Sequence, residues 1–213
     1  MSSVPSEGFV REALDRHDPA CYLRSIPERP TAELPYDPAS IPEGVPLMLD
    51  TTAYIDKAAR RLPLSIDRLV AVRRVIHSAV ALGELAISIG LLDPTDPRTP
   101  GTVGTIHDIL GGIPLGKAVS PSPAAHIEAG LVAGILARTQ QLNRPRKGLT
   151  PEQDCCQKGL RRKLLNDALL FLSAAEQGAC LVSANRTDLD RLLRFWPDAH
   201  VLLYQPLASP VPA

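Results

Sequence analysis

Four short apolar runs, each set beside a stretch of helical pattern, constrain this chain most: Val45-Pro-Leu-Met-Leu-Asp50, Val75-Ile-His77, Ala179-Cys-Leu-Val-Ser183 and His200-Val-Leu-Leu-Tyr204. Runs this short do not make helices, and their apolar continuity suits strands buried on both faces. Helical patterns cover Thr52–Arg61, Ser65–Arg74 with Ser65 as N-cap, Ser78–Ile89 with Ser78 as N-cap and Gly90 as stop, and Ala124–Leu142. A capping-box pattern, Thr150-Pro-Glu-Gln153, opens a further helical stretch that Gly178 closes, and Asp188–Phe195 reads as a short helix. Strands alternating with helices predict an α/β fold, a three-layer α/β/α arrangement around a central, mainly parallel sheet of about four to five strands.

Proline marks what lies outside that pattern. Of 21 prolines, eight stand in the first 46 residues. Proline breaks helices and removes ladder donors, so 1–46 reads as a proline-rich N-terminal extension without long helices. Its apolar residues Tyr22, Leu23, Ile26, Leu34 and Tyr36 favour wrapping on a domain that spans 47–205. Six more prolines fall in 91–123, which reads as an irregular insertion where only Val103–Leu110 suits a short element. Residues 206–213 form a C-terminal tail.

The charges cancel, 23 Lys plus Arg against 23 Asp plus Glu, which excludes a strongly basic nucleic-acid-coating protein and an acidic disordered tail. A hydrophobic share of 45% over 213 residues is enough for one sizeable core. No apolar run reaches the roughly 18–20 residues of a membrane helix, and the N-terminus lacks the apolar stretch of a secretory signal. A cytoplasmic location with no membrane partner is the expectation. Cys21, Cys155, Cys156 and Cys180 match neither a zinc knuckle nor a disulfide framework and read as reduced thiols.

Two motifs fail on inspection. Gly111-Gly-Ile-Pro-Leu-Gly116-Lys117 has the spacing of a phosphate-binding loop, but Ala118 replaces the required hydroxyl, no strand precedes it, and Pro121 and Pro123 obstruct the helix that should follow. His126-Ile-Glu128 has the H-x-E spacing of zinc deaminases without the second cysteine motif, and reads as an exposed helix face.

A set of acids at strand ends and on helices carries more. Asp50 ends the first run, where it can also cap the next helix. Glu84 is the only charge from Ser78 to Gly90, so it reads as an acid in a buried helix that must be paired or bound to a metal. Asp167 has Lys163 at i−4 as a salt-bridge partner. Asn185 and Asp188 follow the third strand, where a turn and a cap would also use them.

In order and spacing, Leu49-Asp50-Thr-Thr-Ala-Tyr-Ile-Asp56, Ile76-His-Ser-Ala-Val-Ala-Leu-Gly-Glu84-Leu85 and Leu165-Asn-Asp167 through Ser183-Ala-Asn185-Arg-Thr-Asp188 resemble PIN domains, the metal-dependent nuclease family that includes VapC-type toxin ribonucleases. The resemblance covers about 47–205 and implies that Asp50, Glu84 and Asp167 are catalytic acids on Mg²⁺ or Mn²⁺. Asn185 stands where the family has a fourth acid, with Asp188 three residues on, and Thr52 and Ser183 stand where such domains have hydroxyls near the site. Hard carboxylate oxygens select Mg²⁺ or Mn²⁺, and a bound cation would support in-line hydrolysis of an RNA phosphodiester to a 5′-phosphate and a 3′-hydroxyl. Arg146, Lys147, Arg161, Arg162 and Lys163 are candidate contacts to RNA phosphates. A toxin role would bring an antitoxin partner that covers the acidic cleft, and nucleases of this type pair as homodimers. The competing expectation is a catalytically weakened PIN-like module that binds RNA or protein, which the neutral Asn185 favours.

Overall fold

The computed structural model describes residues 6–141 and 159–208. The basic turn with Arg146 and Lys147, the capping box at Thr150 and the pair Cys155-Cys156 lie outside the described residues. Five strands form one all-parallel sheet: β1 (Leu47–Leu49), β2 (Val75–Ser78), β3 (Ala118–Val119), β4 (Cys180–Ser183) and β5 (Val201–Leu203). Helices α1 (Ser6–Arg16), α2 (Thr51–Ala58), α3 (Leu64–Val72), α4 (Ala79–Gly90), α5 (Thr99–Gly111), α6 (Pro123–Gln141), α7 (Leu160–Glu176) and α8 (Arg186–Leu192) complete a three-layer α/β/α arrangement. The strand order is β3-β2-β1-β4-β5. The chain builds outward from β1 to one edge, then returns to the other side of β1 at β4. That reversal leaves a crevice outside the carboxyl ends of β1 and β4, the place where open parallel sheets bind ligands.

Burial explains the strands. Every residue of β1 and β4 is buried, and a three- or four-residue run surrounded on both faces must be apolar along its whole length. The register sets Leu49 beside Val182, and the Asp50 N–H donates to the Val182 carbonyl at 3.0 Å. Asp50 and Ser183 therefore emerge side by side. Gly178, at φ +57, closes α7 in the left-handed region that glycine adopts freely.

The structure corrects several expectations. Within residues 1–46 the one α-helix among the described residues, α1, is short and occupies the proline-free stretch between Pro5 and Pro19. The rest of the extension makes three short 3₁₀ turns and wraps the core, with Leu34 and Ile41 buried and the Pro35 carbonyl accepting from Leu203 N at 2.8 Å. That bond covers the exposed edge of β5. The 91–123 insertion is largely ordered. Pro100 sits in the first turn of α5, where its missing N–H costs nothing, and Ile106 is buried. β3 then adds a fifth strand. Pro63, not Ser65, caps α3, and its carbonyl accepts from both Ile66 and Asp67. The last helix begins at Arg186 instead of Asp188 because Asn185 is its cap.

Glu128 is buried, not part of an exposed face. Its Oε1 accepts from Arg16 at 2.6 Å and from Trp196 Nε1 at 3.3 Å, and lies 2.8 Å from Nε2 of the buried His17. One carboxylate thus fastens α1 to α6. Glu128→Ala should destabilise the chain by about 2–3 kcal/mol, because it leaves three polar partners without their shared acceptor. Urea denaturation of the variant beside wild type measures this.

Candidate functional site

Asp50 leaves β1 as the N-cap of α2 and is buried. Its Oδ1 accepts from Thr51 N at 2.6 Å, and its Oδ2 accepts from Thr52 Oγ1 at 3.0 Å and from Ser183 Oγ. Ser183 Oγ in turn accepts from Asn185 N at 2.9 Å. The loops after β1 and β4 are thereby tied together. Burial raises the carboxyl of Asp50 above its ordinary pKa, the hydroxyls of Ser183 and Thr52 work against that rise, and the charge of Glu84 adds to it.

Glu84 lies on α4, which buries Ala81 and Leu85 but leaves Ile87 exposed. The helix is therefore only half-buried, contrary to the reading of its apolar sequence. Glu84 is paired, though with neutral donors: Thr51 Oγ1 at 2.7 Å and Asn166 Nδ2 at 2.9 Å. Those two residues belong to the site, and the sequence reading missed them. Their signal was adjacency alone, Thr51 following Asp50 and Asn166 preceding Asp167.

Asp167 stands on α7. Its Oδ1 accepts from Asn185 Nδ2 at 3.5 Å, and its Oδ2 is buried with no hydrogen-bond partner. Burial first, then the charges of Asp188, Asp50 and Glu84, push its pKa up to about 8 against the opposing pull of Lys163. The expected i−4 salt bridge to Lys163 does not form. The Lys163 ammonium reaches across to Asp188 Oδ2 instead, and Arg191 takes Asp188 Oδ1 at 3.4 Å. Burial pulls the Lys163 amine down, but Asp188 and Asp167 outweigh it and hold the amine above its usual value.

The structure thus gathers Asp50, Glu84, Asp167, Asn185, Asp188, Thr52 and Ser183 around the carboxyl ends of β1 and β4. Asn185 also caps α8, accepting from Asp188 N at 3.5 Å. Among the described residues, no three His, Cys, Asp or Glu side chains come together as a group able to hold a metal ion. The acids interact through their charges, while hydroxyl, amide and ammonium donors occupy most of their oxygens. Asp167 Oδ2 is the exception. Arg161 and Arg162 are exposed on the first turn of α7 beside Lys163. Among the described residues no helix is long and apolar enough to cross a membrane. No family model, curated protein or solved structure matches the chain.

The raised Asp167 makes stability depend on pH. In the unfolded chain the group ionises near its ordinary value of about 4. Folded, it keeps its proton to about pH 8 among Asp50, Glu84, Asp188 and Lys163. The folded state then binds more protons between those values, so in EDTA stability should fall as pH rises through that window. Asp167→Asn should flatten the slope and stabilise the chain near pH 8 by about 1–3 kcal/mol. Urea titrations of both proteins at the two ends of the window test this.

Proposed function

We propose that the chain is a metal-dependent ribonuclease, as its resemblance to PIN domains implies, with the toxin of a toxin–antitoxin pair as its biological form. The observation that carries the reading is the buried, unpartnered Oδ2 of Asp167 among the charges of Asp50, Glu84 and Asp188. Like charges so placed are unfavourable alone and favourable around a cation. Asp50, Glu84 and Asp167 would hold Mg²⁺ or Mn²⁺, with Asn185 and Asp188 as further oxygen donors, a set that suits a hard cation. When bound, the cation supplies charge neutralisation at the phosphodiester and acidifies a water for attack.

The chain's own side chains do the positioning. Ser183 and Thr52 orient Asp50, Thr51 and Asn166 orient Glu84, and Asn185 turns Asp167 so that Oδ1 is held and Oδ2 is left. Arg161 and Arg162 lie one to two turns before Asp167 on the same helix, where they can meet an RNA backbone.

A second reading, a binding module with weakened catalysis, is favoured by a specific observation: Lys163 and Arg191 already occupy both oxygens of Asp188, and Asn185 is neutral. Purified protein incubated with a mixed RNA pool in Mn²⁺, Mg²⁺ or EDTA separates the two. The nuclease reading expects metal-dependent cutting that Asp167→Asn reduces by at least about 10²-fold. Retained RNA binding with no cutting under any condition would move the binding module ahead.

A further inference from the structure

A cleft of about 660 Å³ lies apart from the acids, between α2, α3 and α5 over β1 and β2. Its walls are apolar, built by Leu49, Val70, Val75, Ile109 and Ile113. Its polar groups are few, as in small-molecule sites. At its floor the Tyr54 hydroxyl lies 2.7 Å from His77 Nδ1. Tyr54 is buried and its hydroxyl has no other hydrogen bond among the described residues, so the hydroxyl proton is satisfied only if it is donated to the imidazole. Nδ1 is then the acceptor, and a neutral His77 carries its proton on Nε2, for which the described residues provide no partner. Burial and the nearby Lys117 both keep His77 in that neutral form.

The charged side chains that line the cleft are Lys57 and Asp108. Lys57 lines the cleft, its ammonium only 3.7 Å from the exposed carboxylate of Asp67, an ion pair of little strength in water. β3 pairs with β2 opposite His77, which brings the charge of Lys117, itself outside the lining, close enough to act on the imidazole. Asp108 also lines the rim, but its side chain is 87% exposed and directed to His107 at 3.4 Å. The polar side chains lining the cleft are thus the bonded pair Tyr54 and His77, the cation Lys57, Thr105, whose hydroxyl donates to the Gly101 carbonyl, and the outward-paired Asp108, with an apolar chamber behind them.

We propose that this cleft is a binding site for an organic anion with an apolar body, a carboxylate or sulfonate whose head group meets His77 Nε2–H and Lys57. The apolar walls desolvate the body, and the donors select the charge of the head group.

Anilinonaphthalene sulfonate is a suitable probe, and phenylnaphthylamine, which lacks the sulfonate, is its neutral counterpart. Thr105 and Lys57 are both exposed residues that line the cleft, so replacing them leaves the core intact. Fluorescence titration of the full chain should give saturable one-to-one binding of the sulfonate. Thr105→Trp, which fills the mouth, should weaken it at least about tenfold, and Lys57→Gln about threefold to fivefold. The neutral probe should bind at least about fivefold more weakly than the sulfonate. Melting curves check that each variant is folded. Equal affinity for the two probes would overturn the anion class, and unchanged binding in both folded variants would overturn the site.

Discussion

The hydroxyl of Ser183 and the carboxylate of Asp50 meet where the chain reverses direction across its sheet, and much of the molecule is arranged around that contact. A carboxylate buried at the end of a strand is costly unless donors surround it. Here the donors come from both sides of the reversal: Thr51 and Thr52 open α2 after β1, and Ser183 ends β4. The contact depends on register. With Leu49 beside Val182, the residues that follow each strand leave the sheet together. A slip of one residue would turn Ser183 to the opposite face and leave Asp50 short of a donor.

The same contact limits how the other acids can be accommodated. Because Asp50 is fixed, Glu84 and Asp167 lie near a charge that does not move, and the chain manages the repulsion by three different means. Glu84 is held by the uncharged Thr51 and Asn166. Asp188 receives two cations, Lys163 and Arg191. Asp167 receives one weak amide bond and keeps its proton instead. A proton is the easiest of these to displace. A carboxyl that keeps its proton at neutral pH adds no further charge to the cluster, so the surroundings tolerate its burial without a counter-ion.

Much of this was legible in the sequence for identifiable reasons. β1 and β4 are buried on both faces, so their apolar runs are unbroken, and the polar residues that follow each run mark where the strand ends. Asp50 and Glu84 were visible against apolar neighbours, Asp167 only through its place in the motif order, and the fold brings their charges within reach of one another. The remainder was hidden because it depends on partners distant in sequence. Glu128 sits beside exposed residues, and nothing local shows that His17, 111 positions away, will bury it. Lys163 stands one turn from Asp167 and would pair with it in an isolated helix, but tertiary packing offers Asp188 instead. α5 was obscured by proline and glycine counts, which treat Pro100 at a helix start as though it lay mid-helix.

Helix α2 joins the two regions of interest. Its first turn carries Asp50, Thr51 and Thr52 around the acids, while Tyr54 and Lys57, three and six residues past Thr51, line the apolar cleft. An eight-residue helix is short enough to move as one rigid piece, pinned at one end by Asp50 and at its middle by the bond from Tyr54 to His77. Its far end is held through Asp56, which is buried and takes Tyr204 at 2.8 Å and the guanidinium of Arg61. Three anchors on eight residues leave little freedom for independent adjustment. The same helix thus carries at its start the side chains that hold two acids, Thr51 for Glu84 and Thr52 for Asp50, and further along the side chains that line a separate cleft, so the anchors that fix one region also fix the other.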